Sequence, residues 1–498
     1  MKLSNFKYLT YMNNEIRKLI CKDIAKKILF MFGVYTFAII SIIRADFLYH
    51  DDFERIFYGN RIWRNNSRYI DDFLAIFLHA DTLITDISPL PQLIAALLIA
   101  IASVLLVYII YDGKVTKTAC FLALPVGLNP YILQCFSFKF DAPYMGLSVL
   151  ISIVPFLFTQ NNIVFSLSSI ISLLIMCMTY QASSGIYIIL VIILCFKAWN
   201  ERRKTGREII RFVVISAASY CVSMIFFRLF LMRRQDTYIS TDVFPIQKLF
   251  SGIANNFISY MNFVNADFGI IWKFLLFILC LTFILASVLL TKRNKIAALA
   301  LSLAVVIAMC VMSFGVYLAL TRPLFQPRAM YGFGIFIACV AVYLSGVPKK
   351  IVLLPAALLY WCFFVFSLTY GNALSEQKKY NTFRTEILLH DISRLFPDRA
   401  KGLLRVRLVN SEGFVPSVHN IAKRNPVIRR LVPLYLDGEE WIWASFQSIR
   451  HYEFNLYLLY DSIDIEDDKY KVILDTYYHT LKTDGKVLLV ILKNGYYR

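Results

Sequence analysis

Residues 44–55 read RADFLYHDDFER and begin where the first long apolar run of the chain ends. They open an acidic segment, residues 44–89, that contains five arginines and no lysine. Carboxylates crowded beside a bilayer repel one another and raise each other's pKa, which suits a general base or a metal site. A second interpretation is a solvated loop that is acidic because basic residues are kept on the other side of the membrane. The eight carboxylates are Asp46, Asp51, Asp52, Glu54, Asp71, Asp72, Asp81 and Asp86.

The composition predicts a polytopic membrane protein. Of 498 residues, 58% are hydrophobic and 17% charged, and the mean hydropathy is +0.60. No soluble core needs that much apolar surface. The net charge of +19 comes from short basic clusters between apolar runs, a pattern typical of membrane topology and headgroup contact rather than of nucleic-acid binding. The ten cysteines form no CxxC pair, so neither a disulfide framework nor a zinc site is indicated.

Apolar runs long enough to cross a bilayer indicate the membrane spans. A further stretch, residues 118–196, carries only two charges and must cross several times, with breaks near 129–130, 160–162 and 181–184. The other runs are 28–43, 90–111, 213–227, 274–290, 296–320, 331–347 and 351–368.

Five basic clusters predict the orientation. With all five in the cytoplasm, the acidic segment, the connections 231–270 and 321–330 and everything after about residue 370 lie outside. The stretch 118–196 then crosses four times, or twice with a re-entrant hairpin, giving about eleven or about nine spans. In both cases the amino terminus is inside and the tail outside. The clusters are Lys18/Lys22/Lys26/Lys27, Lys114/Lys117, Lys197 with Arg202/Arg203/Lys204/Arg207, Lys292/Arg293/Lys295, and Lys349/Lys350.

The sequence predicts two domains, a transmembrane domain over residues 1–370 and a small α/β domain over 371–498. In the connection 231–270, apolar residues from Phe244 to Met261 recur at helical spacing, which indicates an amphipathic helix on the outer interface or a plain surface helix. The tail is charged and free of cysteine. Its predicted strands are 403–409, 454–460 and 487–492, and its predicted helices are 415–430, 439–452 and 469–483.

The first candidate set of site residues surrounds the carboxylate pair Asp51 and Asp52. If the segment is helical, Asp51 and Arg55 lie one turn apart and can pair, which leaves Asp52 freer. One carboxylate could then take a proton from an acceptor hydroxyl. The alternatives are an ordinary surface ion pair and a divalent metal site formed by His50, Asp51 and Asp52, with or without His79, although no recognised ligand spacing is present.

Two further sets lie near the same predicted face. Lys139 and Asp141 either form a functional pair, because charge at membrane depth is costly unless paired or hydrated, or meet water in a short external loop. Arg322 and Arg328 lie in a loop that prolines make stiff. They either form bidentate hydrogen bonds to phosphate oxygens or anchor the loop among lipid headgroups. Side chains that would suit stacking against sugar rings are Trp63, Tyr69, Tyr180 and Gln181.

No motif of a soluble nucleotide-sugar domain is present. The sequence has no Walker loop, no GxGxxG leading into a helix and no GxSxG. The membrane part instead carries short motifs whose order and sidedness are informative. They are DFLYHDDFER at 46–55, RY at 68–69, SPLPQ at 88–92, NPY at 129–131, FKFDAPYM at 138–145 and YQ at 180–181.

With these motifs the chain resembles the Glucos_trans_II family, the serotype-converting O-antigen glucosyltransferases of the Gtr group, and more broadly the GT-C superfamily. The resemblance covers most of the membrane part and implies a GT-C-like domain of about 9–11 helices in a bacterial inner membrane, with a periplasmic tail. It also implies that Asp51 or Asp52 is the base and that Asp141 is a second-loop acid that helps to position the acceptor.

The resemblance further implies a phosphate site on the donor side, with Arg322 and Arg328 as its first candidates and Arg55 and Lys139 as further ones. Lys139 stands where the family usually has an arginine, so a bidentate contact is not expected there. The implied reaction is a single displacement with inversion, and it needs no metal in principle because cationic side chains can neutralise the departing phosphate.

The implied function is transfer of glucose from undecaprenyl-phosphate-glucose to O-antigen of lipopolysaccharide, without a cofactor. The implied partners are that donor, the glycan acceptor, membrane lipids and proteins that synthesise and flip the donor; nucleic acid is not among them. One alternative is another GT-C transfer, for instance of arabinose or mannose onto another glycan or onto protein. The other is a transporter or flippase for a lipid-linked sugar, which predicts internal repeats and midplane charge pairs; the sequence shows no repeat.

Overall fold

The structure is a computed structural model that describes residues 2–235, 239–397, 404–439, 442–454, 456–460 and 463–494. It divides into two compact units. The sequence predicts a boundary near residue 370. It does not predict that part of the acidic segment belongs to the same unit as the tail. The first unit comprises Met1–Ile40, Arg61–Leu83 and Ile87–Leu368, and the second comprises Ser41–Asn60, Ile84–Asp86 and Thr369–Arg498.

Apolar helices form most of the first unit. In the described part of the chain, seven helices are long and apolar enough to cross a membrane, and four more are apolar but shorter. Each predicted run coincides with one of these helices, and the stretch 118–196 is interrupted at the predicted breaks. The helices are α1 (Lys2–Leu19), α2 (Lys22–Ala45), α3 (Asp51–Tyr58), α4 (Tyr69–His79), α5 (Leu90–Ile110), α6 (Lys117–Leu122), α7 (Ile132–Ser137), α8 (Ala142–Ile153), α9 (Asn162–Cys177), α10 (Ser184–Asn200), α11 (Gly206–Phe226), α12 (Ile246–Asp267), α13 (Ile270–Leu290), α14 (Lys295–Met312), α15 (Gly332–Tyr343) and α16 (Leu354–Leu395).

The turn between α6 and α7 is fixed by one buried asparagine. Asn129 donates to the carbonyl of Pro125 at 2.8 Å and accepts the backbone N–H groups of Tyr131 and Ile132. A Cβ added at Gly334 of α15 would lie 2.2 Å from Asn129 Nδ2, so only glycine permits this approach. The turn holds the start of α7, which leads to the site segment that precedes α8.

The predicted amphipathic helix is α12, and its buried face is polar. Asn256 donates to the carbonyls of Leu318 and Leu320 at 3.0 and 2.8 Å. Phe250, on another face of the helix, is 86% exposed. In a bilayer an apolar side chain such as Phe250 can remain exposed to lipid, because lipid does not drive it into the protein. Buried backbone carbonyls, in contrast, need hydrogen-bond donors, which Asn256 supplies. The helix predicted here is therefore present and amphipathic, as both the interfacial and the surface interpretation require.

The second unit contains a five-stranded sheet of order β2-β1-β5-β4-β3. β1 is parallel to β2 and β5, and the other neighbours are antiparallel. The last turns of α16 supply Leu388, Leu389 and Ile392 to the core beneath the sheet. The strands are β1 (Leu404–Val409), β2 (Leu456–Leu458), β3 (Lys471–Asp475), β4 (His479–Thr483) and β5 (Val487–Leu492), and the helices are α17 (Pro416–Arg424), α18 (Ile428–Leu431) and α19 (Ile442–Arg450).

The tail confirms the three predicted strands, of which residues 403 and 455 lie outside the described residues, and corrects two predicted helices. The helix predicted over 469–483 is wrong, because this segment is the β3–β4 hairpin, with β-branched and aromatic residues that favour strands. The helix predicted over 415–430 is broken, because Pro426 lacks an N–H group and disfavours a helical residue before it. The helix predicted over 439–452 is present as α19; residues 440–441 lie outside the described residues.

Candidate active site

The predicted site residues fall in both units. Helix α3, with Asp51, Asp52 and Arg55, belongs to the second unit. Asp141, Lys139, Arg322 and Arg328 belong to the first.

The carboxylate pair begins α3, so the helical interpretation of this segment is confirmed. Asp52 is fully buried and accepts the backbone N–H of Tyr49 at 2.9 Å. Arg55 is buried as well, whereas Asp51 is half-buried. The prediction that Asp52 is the freer carboxylate is therefore wrong, because the turn before the helix folds Asp52 inward and leaves Asp51 the more accessible. Burial and the neighbouring Asp51 raise the pKa of Glu54 on the same helix.

Aromatic contacts fix α3 against the tail within the second unit. The rings of Phe47 and Phe53 lie 5.1 and 4.9 Å from the ring of Tyr435. The hydroxyl of Tyr49 donates to the carbonyl of Leu431 at 2.7 Å. Because Tyr49 also bonds Asp52 through its backbone, these contacts determine where the carboxylate pair is presented.

Asp141 lies at the N-terminal end of α8, and its carboxylate accepts hydrogen bonds from two side chains. Its side chain is 2% exposed, and its Oδ1 accepts Trp63 Nε1–H at 2.6 Å and Arg68 NH1–H at 3.3 Å. Trp63 is itself fully buried and packs edge-on against Tyr144. Burial acts to lower the pKa of the Arg68 guanidinium. The negative charge of Asp141, with contributions from Tyr180 and Asp71, more than offsets this effect, so the pKa is raised above its ordinary value. The site thus contains a buried, charge-compensated ion pair.

Arg68 also begins a stack of planar groups. Its guanidinium carbon lies 4.6 Å from the centre of the Tyr180 ring, which stacks on Tyr331 at 6.2 Å. The Tyr331 hydroxyl bonds Ser183 at 2.6 Å. Among the described residues, Arg68 Nε and the Tyr180 hydroxyl are buried without a hydrogen-bond partner. Buried polar groups are normally bonded, so these two atoms are suited to receive a polar ligand such as a sugar hydroxyl.

The predicted phosphate contacts differ in burial. Lys139 and Asp141 are 3% and 1% exposed, so the alternative in which they meet water in an external loop is wrong. Arg328 is also buried, with its guanidinium carbon 5.1 Å from the ring centre of Phe138, and its backbone N–H donates to Gln134 Oε1 at 2.6 Å. Anchoring in headgroups does not fit that environment. Arg322 is exposed, and anchoring remains open for it.

The acidic segment is only in part a solvated loop. Asp52, Asp71 and Asp72 are buried, whereas Asp46, Asp81 and Asp86 are exposed. Within the described residues, no three His, Cys, Asp or Glu side chains are grouped as they would be around a metal ion.

Apolar helices of membrane length, with charged side chains buried in the turns between them, are compatible with insertion in a membrane. The sequence model of the glucosyl transferase GtrII family matches residues 40–339. The chain belongs to this family and is a glycosyltransferase.

The chain is also similar to a protein of Salmonella phage P22 described as an uncharacterized 55.3 kDa protein in the gtrB 5′ region. The two are 26% identical over 451 residues, which cover 86% of this chain and 90% of the relative. No solved structure matches the chain.

Proposed function

We propose that the protein transfers glucose from undecaprenyl-phosphate-glucose to O-antigen at the periplasmic face of the bacterial inner membrane, with inversion at the anomeric carbon. The observation that carries the proposal is the buried Asp141–Arg68 pair, with Arg328 and Lys139 buried in the same unit of a GtrII-family chain. Cations and a polar cradle suit a charged donor and a hydroxyl-rich acceptor.

The sidedness is supported by the basic clusters. Lys114 lies between α5 and α6, which begins at Lys117. Lys292 and Arg293 lie between α13 and α14, which begins at Lys295. With these connections in the cytoplasm, the connections that carry the site residues lie on the periplasmic side.

The proposed reaction is a single displacement. The acceptor hydroxyl oxygen attacks the anomeric carbon, the bond from that carbon to the phosphate oxygen breaks with its electron pair, and polyprenyl phosphate leaves. The acceptor proton passes to a carboxylate. Asp51 is the proposed proton acceptor because it is the accessible member of the pair, and Asp52 positions the helix through its bond to the Tyr49 backbone.

The roles in the first unit follow from the contacts there. Asp141 is charge-compensated by Arg68 and receives the Trp63 indole N–H, which suits a fixed acceptor-positioning group rather than a mobile base. Arg328 and Lys139 are proposed to stabilise the departing phosphate, with Arg322 and Arg55 as further candidates.

Two alternatives remain distinct from this proposal. Another GT-C transfer would use the same chemistry on a different sugar or acceptor. A flippase would move the donor without breaking its glycosidic bond. The phage relative is named for its place 5′ of gtrB, which supports a partnership of this chain with at least one further protein. A protein that synthesises the donor is the partner we propose.

The test is expression in a bacterium that makes unglucosylated O-antigen and supplies the lipid-linked donor. We expect each modified O-antigen repeat to gain one hexose in mass, identified as glucose after hydrolysis, with an anomeric configuration opposite to that of the donor. Asp141→Asn at equal protein level should abolish the gain. A gain of another sugar would favour the broader GT-C alternative, and no gain with donor supplied would contradict transfer to O-antigen.

A further inference from the structure

A groove of about 500 Å³ opens between α12, α13, α14 and α15 in the first unit. Its walls are almost wholly apolar and run from the first turn of α13 at Lys273 to Cys280, about 10 Å along the helix axis. Val306 and Cys310 of α14 form the opposite wall. The groove is therefore long, narrow and bounded by membrane-length helices.

Lys273 is the one charged residue among those that line the groove. It is half-buried in the first turn of a strongly apolar helix, and no carboxylate of the described chain lies within ion-pairing distance of its ammonium. An unpaired cation in a membrane helix is costly unless water or an anion compensates it. The groove thus combines apolar walls with a cation near one end.

The groove borders the candidate active site. Phe268 and Phe333 line it, and both rings pack on Tyr131 at 5.9 and 6.4 Å. Two residues before Phe333, Tyr331 stacks on Tyr180, the ring beneath the Arg68 guanidinium. A series of ring contacts therefore connects the groove with the residues that surround Asp141.

We propose that this groove holds the polyprenyl chain of the lipid-linked donor, with its phosphate end toward Lys273, whose ammonium adds to the phosphate contacts proposed for Arg328 and Lys139. The inference rests on the proposed function, since it assigns the donor's lipid part to particular residues. Apolar walls gain free energy from burying the chain in proportion to the area covered, and the compact ammonium of lysine is suited to a phosphate monoanion.

The test uses purified full-length protein and two donors, glucose phosphate esters of a polyprenol with about eleven isoprene units and of one with two. Cys310→Trp fills the groove, so KM for the long donor should rise at least tenfold while KM for the short donor changes little. Cys280→Phe, one helix away, repeats the test in case the first variant does not fold. Lys273→Gln should raise KM for both donors, and kcat should hold. The matched control is Cys195→Phe, in a second apolar groove between α10, α11 and α14.

A second measurement separates this inference from the proposed function. A photoactivatable undecaprenyl phosphate without sugar is cross-linked to the protein and mapped by mass spectrometry. Labelling of α13 and α14 that Cys310→Trp removes, and that unlabelled polyprenyl phosphate but not phosphatidylglycerol displaces, supports the groove even if no glucose is transferred. Labelling elsewhere, equal displacement by phosphatidylglycerol, or equal loss of both donors in Cys310→Trp overturns it.

Discussion

Removing the buried arginine of the site should destabilise the protein far more than removing an exposed arginine with a shorter ion pair. Arg68→Gln breaks a contact of 3.3 Å to Asp141. The matched control is Arg64→Gln, four residues earlier, which breaks a contact of 2.7 Å to Asp72. If distance alone decided the contribution to stability, the Arg64 pair would contribute more. If burial decides it, the Arg68 pair contributes more.

The magnitudes follow from exposure. The Arg68 and Asp141 side chains are 17% and 2% exposed, and breaking a buried pair costs about 3–5 kcal/mol because the remaining buried charge loses the opposite charge beside it. The cation–π contact with Tyr180 adds about 0.5–2 kcal/mol. Arg64 is 64% exposed, and Asp72 keeps Arg61 at 4.0 Å, so its loss should cost about 0–1 kcal/mol.

The assay is the thermal midpoint of the purified protein in one detergent at one heating rate. Arg68→Gln should lower the midpoint by about 5 °C or more, and Arg64→Gln by about 2 °C or less. Arg68→Lys should fall between them, because it keeps the charge and loses the planar fork. A larger loss in Arg64→Gln than in Arg68→Gln would refute the burial argument.

Three further outcomes are expected. Asp51→Asn should lower kcat about 10²–10⁴-fold, whereas Asp52→Asn, which still accepts the Tyr49 N–H, should lose much less; the reverse order in a transfer assay would make Asp52 the base. Burial raises the pKa of Glu412 to about 7, so the folded state holds a proton that the unfolded chain releases at lower pH. Stability of the second unit should therefore fall by up to about 3 kcal/mol between pH 4.5 and 7, and thermal midpoints of Glu412→Gln should not show this fall. Alkaline phosphatase fused to the carboxyl end should be active in intact cells. An inactive phosphatase fusion, together with a fluorescent fusion to green fluorescent protein, would place the tail in the cytoplasm and contradict the proposed topology.

Local sequence pattern was sufficient for the membrane helices. Runs such as 90–111 and 274–290 leave no alternative to α5 and α13, because each is long, apolar and free of charged residues. The same approach failed at 469–483, where apolar and aromatic residues are dense enough to satisfy a helical period and a strand alternation together. The β3–β4 pairing that decides between them is set by cross-strand partners.

The sequence was sufficient to predict which residue types form the candidate site. It was not sufficient to predict which of these residues contact one another. Asp141 was identified as an isolated charge in an apolar stretch, and Lys139 was the obvious cation nearby. The structure pairs Asp141 with Arg68 as well, 73 residues earlier in the chain. Likewise, nothing local to Tyr49 indicates its bond to Leu431, 382 residues later, which places α3 with the tail. Such contacts depend on the fold as a whole, and spacing within one segment cannot reveal them.

The central claim is tested most directly by reconstitution. The purified full chain is placed in liposomes with undecaprenyl-phosphate-glucose carrying a labelled sugar, and unglucosylated O-antigen is added to the side that the tail faces. We expect labelled glucose on the glycan, release of an equal amount of undecaprenyl phosphate, and neither product with Asp51→Asn. Movement of intact labelled donor between leaflets, with no label on the glycan, would contradict it and identify a flippase.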